Sequence, residues 1–158
     1  MKEIPLTQGF VALVDDEDYE WLSQWKWCAQ MHRNAPRAVR SVTVDGEHKT
    51  VLMHRQIMDA PSDRQVDHIN HDTLFNCKRN LRLCTHAQNL VNRYKMRGCS
   101  SRYKGVVWDK PRKKWRAQIT VSNHVTNLGR FDREKDAARA YNVRAGKEWG
   151  EFALLNEL

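Results

Sequence analysis

The chain has 158 residues, 41% of them hydrophobic, which is enough for one modest core or for two small modules joined by a linker. Its apolar runs are a few residues long, far below the ~20 that span a bilayer, and the opening MKEIPLTQGF lacks a basic-then-apolar signal pattern. The expectation is therefore a cytoplasmic protein with no membrane partner. The formal charge of +8 is unevenly placed, with a net of −2 over residues 1–60, +4 over 61–99 and +6 over 100–158, and such a concentration of Lys and Arg points to a polyanion partner.

In chain order, Phe10 to Val14 reads as a strand, and the acidic run Asp15 to Asp18 favours the start of a helix through Trp21, Leu22 and Trp25. Alternation near Trp25-Lys26-Trp27, Ala38 to Val42 and Thr50 to Met53 predicts short antiparallel strands, with Trp21, Trp25 and Trp27 as core residues. Pro61-Ser62-Asp63 breaks this β-rich N-terminal extension, residues 1–60. A second segment, 61–99, opens on the strand Gln65 to Ile69. It continues through a polar loop, Asn70 to Arg79, to an extended Leu81-Arg82-Leu83. Thr85 with Gln88 three residues later is a capping-box pattern that starts a helix, which fades into a basic linker, Arg93 to Gly98. The third segment, 100–158, shows strands at Gly105 to Trp108, Lys114 to Val121 and Val125 to Phe131. A helix then follows Asp132, with Ala137, Ala138, Tyr141 and Ala145 at helical spacing. The fold class is α+β.

The chemistry-bearing residues lie in the middle segment. Asp67 and His68 are adjacent on a strand and so point to opposite faces, which lets a carboxylate hold a metal while an imidazole handles a proton. Eleven residues separate His68 from Asn80 and eight separate Asn80 from Asn89. Together, Met53-His54-Arg55, Val66 to Asn70, Asn80-Leu81-Arg82 and Thr85 with Gln88-Asn89 resemble the HNH endonuclease signature of phage and homing nucleases. The resemblance implies a ββα-metal core in which His68 is the general base, Asp67 and Asn89 are metal ligands and Asn80 orients the imidazole of His68. His54 and Arg82 are supporting candidates. It also implies one divalent ion, Mg²⁺ or Mn²⁺, because oxygen ligands favour hard cations. Zinc is not expected, since Cys28, Cys77, Cys84 and Cys99 form no Cys-x-x-Cys pair. Many relatives carry Asp-Asn-Arg before the middle asparagine; this chain has Phe75-Asn76-Cys77.

In the third segment, Lys114 to Val121 alternates cleanly. Trp115, Ala117, Ile119 and Val121 should pack on the helix, leaving Lys114, Arg116, Gln118 and Thr120 on a face suited to DNA. Tyr103 to Val106, Lys114 to Ile119, Leu128 to Phe131 and Asp136 to Tyr141 resemble the plant APETALA2/ethylene-response-factor domain, a three-stranded sheet on one helix. That resemblance implies DNA contacts by Trp108, Arg112, Lys114, Arg116, Gln118 and Arg130, while Val107 stands where many plant domains carry a DNA-reading arginine. The expected protein is a metal-dependent endonuclease that cuts double-stranded DNA and is targeted by its C-terminal domain, in a bacterial host cytoplasm if phage-encoded. A non-catalytic DNA-binding regulator with a decayed nuclease core is the alternative.

Overall fold

Strand alternation and short turns build most of the molecule, and the computed structural model describes residues 1–32, 35–95 and 98–158. Met96 and Arg97 of the expected linker lie outside the described residues. The chain is mixed α and β and divides into two units, Met1–His86 and Ala87–Leu158.

In the first unit β1 (Lys2–Pro5) pairs antiparallel with β2 (Val11–Val14), and α1 (Asp16–Leu22) follows at once. Three acids in the first turn of α1 complement its N-terminal dipole. The helix ends at Leu22, earlier than its apolar residues suggest. The indole of Trp27 donates to the Leu22 carbonyl at 2.9 Å, so residues 25–27 turn back over the helix end and the next strand begins at Cys28. A three-stranded antiparallel sheet comprises β3 (Cys28–His32), β4 (Ala35–Val44) and β5 (Glu47–Leu52).

The short helix α2 (Met53–Ile57) replaces the extended Met53 that alternation predicts, because Met53, His54 and Ile57 bury one helical face. The antiparallel hairpin of β6 (Gln65–His68) and β7 (Leu81–Cys84) then pairs Asp67 with Arg82 and His68 with Leu81. One core runs through all of this: Ile4, Ala12, Val14, Leu22, Trp27, Met53, Val66 and Leu81 belong to a single buried cluster. The hairpin is thus packed on the N-terminal segment, and residues 1–60 share their core with it.

Helix α3 (His86–Val91) begins next to Thr85, as the capping pattern predicts. In the second unit β8 (Val106–Asp109), β9 (Lys114–Val121) and β10 (His124–Phe131) form an antiparallel sheet in the order β10-β9-β8. The helix α4 (Glu134–Trp149) covers one face, burying Ala137, Ala138, Tyr141 and Ala145 against Val106, Ala117 and Ile119.

Close approach fixes Gly105. Its φ of +73° is left-handed, and a Cβ there would sit 1.9 Å from a Tyr141 ring carbon and 2.7 Å from the Gln118 carbonyl oxygen. Gly105→Ala should therefore destabilise the second unit by about 3 kcal/mol or more, through overpacking added to backbone strain. Thermal unfolding of the full chain checks this, and an unchanged melting curve would remove the constraint.

Candidate functional site

The loop between β6 and β7, residues 69–80, is held from three sides within the first unit. Leu13 on β2 donates its N–H to the Leu74 carbonyl at 2.9 Å and accepts from the Asn76 N–H at 2.8 Å, forming a parallel bridge to Phe75. Asp15, next to α1, accepts from the Lys78 N–H at 2.7 Å, and the Lys78 ammonium pairs with Glu17 at 2.6 Å and with buried Asp18 at 3.2 Å. Thr73 donates its hydroxyl to the Pro36 carbonyl on β4 at 2.6 Å. Backbone donors and acceptors that would otherwise need water are satisfied by elements more than 30 residues away, so the loop is fixed by tertiary structure.

Asp67, His68, Asn76 and Asn80 are all buried. The imidazole Nε2 of His68 lies 3.0 Å from the Asn76 amide oxygen, and Asn76 also donates its NH₂ to the Leu74 carbonyl at 3.2 Å. Asn80 has a different set of partners. Its amide donates to the Phe75 carbonyl at 2.8 Å and accepts from the Asn70 N–H at 3.0 Å, while its own carbonyl accepts from the Ile69 N–H at 2.8 Å. Asn80 thus ties the two ends of the loop together, and the contact to the imidazole expected of it is made by Asn76. Sequence reading passed over Asn76; its signal lay in the Asp-Asn-Arg position that this chain fills with Phe75-Asn76-Cys77.

The His54 ring, from α2, meets His68 edge-on with 5.1 Å between centroids. Burial pushes His54 down to about 3, with the neighbouring His68 adding to the effect. Burial also lowers His68, opposed by its hydrogen bond to Asn76 and by the charge of Asp67. Both rings are neutral near pH 7, and a neutral imidazole can accept a proton.

Asp67 is 7% exposed, and the Arg82 guanidinium donates to its Oδ2 from Nε at 3.0 Å and from Nη2 at 2.7 Å. A carboxylate this deep requires a cationic counterpart, which Arg82 supplies across the hairpin. Among the described residues no group of three or more His, Cys, Asp or Glu side chains is placed to hold a metal. The Asp67 carboxylate is an oxygen donor of the kind that hard divalent ions take. Burial raises the Cys77 thiol to about 11 and also raises Cys84, so neither supplies a thiolate near neutral pH. Asn89 stands half-buried on α3, in the second unit.

On the second unit, register decides which candidates share a face. Arg116 lies opposite Val107 on β8 and Arg130 on β10, whereas Lys114 lies opposite Asp109, all on the side away from α4. Two acids also belong to this side. Asp109 pairs with Arg130 at 2.7 Å and with Arg112 at 3.7 Å, and Asp132 pairs with Lys114 at 3.0 Å. The Arg130 hydrogen bond holds the Asp109 carboxyl below the usual carboxylate range. The Nε of Arg116 is buried and has no hydrogen-bond partner among the described residues. Gln118 is half-buried on the same side. Trp108 pairs with Trp115, on the side of Val106 and Ala117, with ring centroids 4.9 Å apart. It stacks at the edge of the sheet and is 37% exposed.

No helix among the described residues is long and apolar enough to cross a membrane. No family model matches the chain. Over 102 residues the chain is 36% identical to a protein named as an uncharacterized HNH endonuclease of Acanthamoeba polyphaga mimivirus, which covers 62% of this chain and 50% of that one. Over 66 residues it is 39% identical to an AP2-like ethylene-responsive transcription factor of Arabidopsis thaliana, covering 42% of this chain and 20% of that factor. It is also 29% identical over 111 residues to Protein 3.8 of Escherichia phage T7, covering 67% of this chain and 91% of that one. The chain thus spans half the length of the viral relative and a fifth of the plant one. It is similar in part to an HNH endonuclease and in part to AP2-like factors.

Proposed function

We propose that this chain is a DNA endonuclease whose hydrolytic site lies on the β6–β7 hairpin and whose C-terminal sheet binds DNA. The observation that carries the reading is the buried, neutral His68 braced by Asn76 beside Asp67, in a chain similar to a viral protein named an HNH endonuclease. Simple DNA binding requires no such arrangement.

In this reading His68 takes the proton of the attacking water, and the strapped loop keeps its ring from rotating. Asp67 is the carboxylate that would hold a divalent ion, Mg²⁺ or Mn²⁺, and the motif assigns a second oxygen donor to Asn89. The ion, when bound, supplies positive charge for the scissile phosphate and the leaving oxygen. Arg82 balances the charge of Asp67 in the folded chain. On the second unit, Arg116 and Arg130 stand opposite each other in the register of adjacent strands. Arg130 is already opposed by Asp109, so the anion that a phosphate supplies falls first to Arg116, whose Nε has no hydrogen-bond partner among the described residues. The similarity to AP2-like factors supports double-stranded DNA as the partner.

Nicking of a supercoiled plasmid tests the chemistry. The full chain should cut in Mg²⁺ or Mn²⁺ and stop in chelator, and His68→Ala should lose roughly 10²–10⁴-fold in rate with DNA affinity retained. DNA binding with no cleavage under any divalent ion would leave a DNA-binding protein and remove the nuclease assignment. The binding face has its own test, a salt titration of DNA affinity for Arg116→Ala. A phosphate contact should flatten the salt slope by about one unit, and a base contact should cost on the order of 1–3 kcal/mol at one sequence position. An unchanged titration would take Arg116 off the interface.

A further inference from the structure

We propose that Asn76 is the positioning residue for His68: its amide oxygen fixes the imidazole as the Nε2–H tautomer and makes Nδ1 the atom that accepts the proton. The Leu74 carbonyl has lone pairs and no hydrogen, so the Asn76 atom 3.2 Å away from it must be the NH₂ group. The other end of the same amide, 3.0 Å from His68 Nε2, is then the oxygen, an acceptor. An acceptor at that distance from a ring nitrogen requires the nitrogen to carry hydrogen. A neutral imidazole has a single N–H, so Nδ1 holds the lone pair.

The chain of assignments is rigid because each member is buried or pinned. Asn76 is fully buried, and its backbone N–H is held by the Leu13 carbonyl at 2.8 Å. Leu13 also donates to the very carbonyl of Leu74 that orients the Asn76 amide. Flipping the amide would set its oxygen against the Leu74 oxygen, which costs a buried hydrogen bond and leaves an acceptor facing an acceptor. Asn80 cannot substitute, since both ends of its amide are engaged by the Phe75 carbonyl and the Asn70 N–H. The role of Nδ1 as proton acceptor rests on the nuclease reading above; the tautomer itself is a property of the folded chain.

The test uses the full-length protein labelled with ¹⁵N histidine and kept metal-free. Long-range ¹H–¹⁵N spectra at mildly alkaline pH report which nitrogen of each ring is protonated, and the His68 signals are identified by their loss in His68→Gln. The wild type should show His68 protonated at Nε2. Asn76→Asp, which keeps an acceptor facing Nε2 although it loses the donor to the Leu74 carbonyl, should keep Nε2 protonated, with its negative charge raising the pH at which Nδ1 loses its proton. Asn76→Leu, close in size but with no acceptor, should give a mixed or averaged pattern and lower the nicking kcat roughly 10²-fold with DNA affinity unchanged. A wild-type His68 protonated at Nδ1, or an Asn76→Leu spectrum identical to wild type, would overturn the proposal. If Asn76→Leu does not fold, the wild-type and Asn76→Asp spectra still decide. An Nε2–H pattern in a chain that cuts no DNA would leave the positioning intact and defeat the nuclease reading alone.

Discussion

The first unit depends on two hydrogen bonds made by one residue of a short N-terminal strand. Leu13 donates to Leu74 and accepts from Asn76, and through them β2 becomes an extra edge for the loop between β6 and β7. A two-stranded hairpin is marginal by itself in water. Here its loop is pinned by β2, by Asp15 beside α1 and by Pro36 on β4, while Val66 and Leu81 join a core that begins at Ile4. The N-terminal segment is part of the wall that holds the imidazole, so it cannot be treated as an appendage.

Buried charge is managed in both units by pairing across the strands of one sheet, between neighbours in the first unit and across the central β9 in the second. Asp67 on β6 meets Arg82 on β7, and Asp109 on β8 meets Arg130 on β10, each acid nearly buried. Taking a carboxylate out of water is costly unless a cation accompanies it. Each pairing also limits what its arginine can do. Arg130 reaches an anion with one of its donors already committed to Asp109, whereas Arg116 has a buried Nε that nothing among the described residues engages. The two guanidinium groups on the sheet are therefore unequal, although the sequence presents them as one basic face.

Local patterning made the second unit readable in advance. Alternation from Lys114 to Val121 gave the bounds of β9, and the buried spacing of Ala137, Ala138, Tyr141 and Ala145 gave the inner face of α4. The Thr85 and Gln88 pair likewise placed the start of α3. Strand β1 and helix α2 were not legible, since Lys2–Pro5 pairs with a partner some ten residues away and Met53–Ile57 turns helical to bury Met53, His54 and Ile57. Side-chain partners escaped for the same reason. The motif spacing picked out His68 and Asn80, but only the fold shows that the imidazole faces Asn76, because that contact depends on a carbonyl oriented by Leu13. Trp108, a DNA contact implied by the resemblance, lies beside Trp115 in the β8–β9 register, a placement that depends on pairing between strands and not on local pattern.

Amide hydrogen exchange at Asn76 measures the strap on the site most directly, because its N–H is the donor that joins the loop to β2. In the full-length, metal-free chain this amide should exchange as slowly as the β6 amides, through opening close to the global unfolding of the first unit. Exchange at Asn76 as fast as in an exposed loop, with β6 still protected, would contradict the account: the loop would then be free of β2, and nothing in the fold would hold Asn76 against His68.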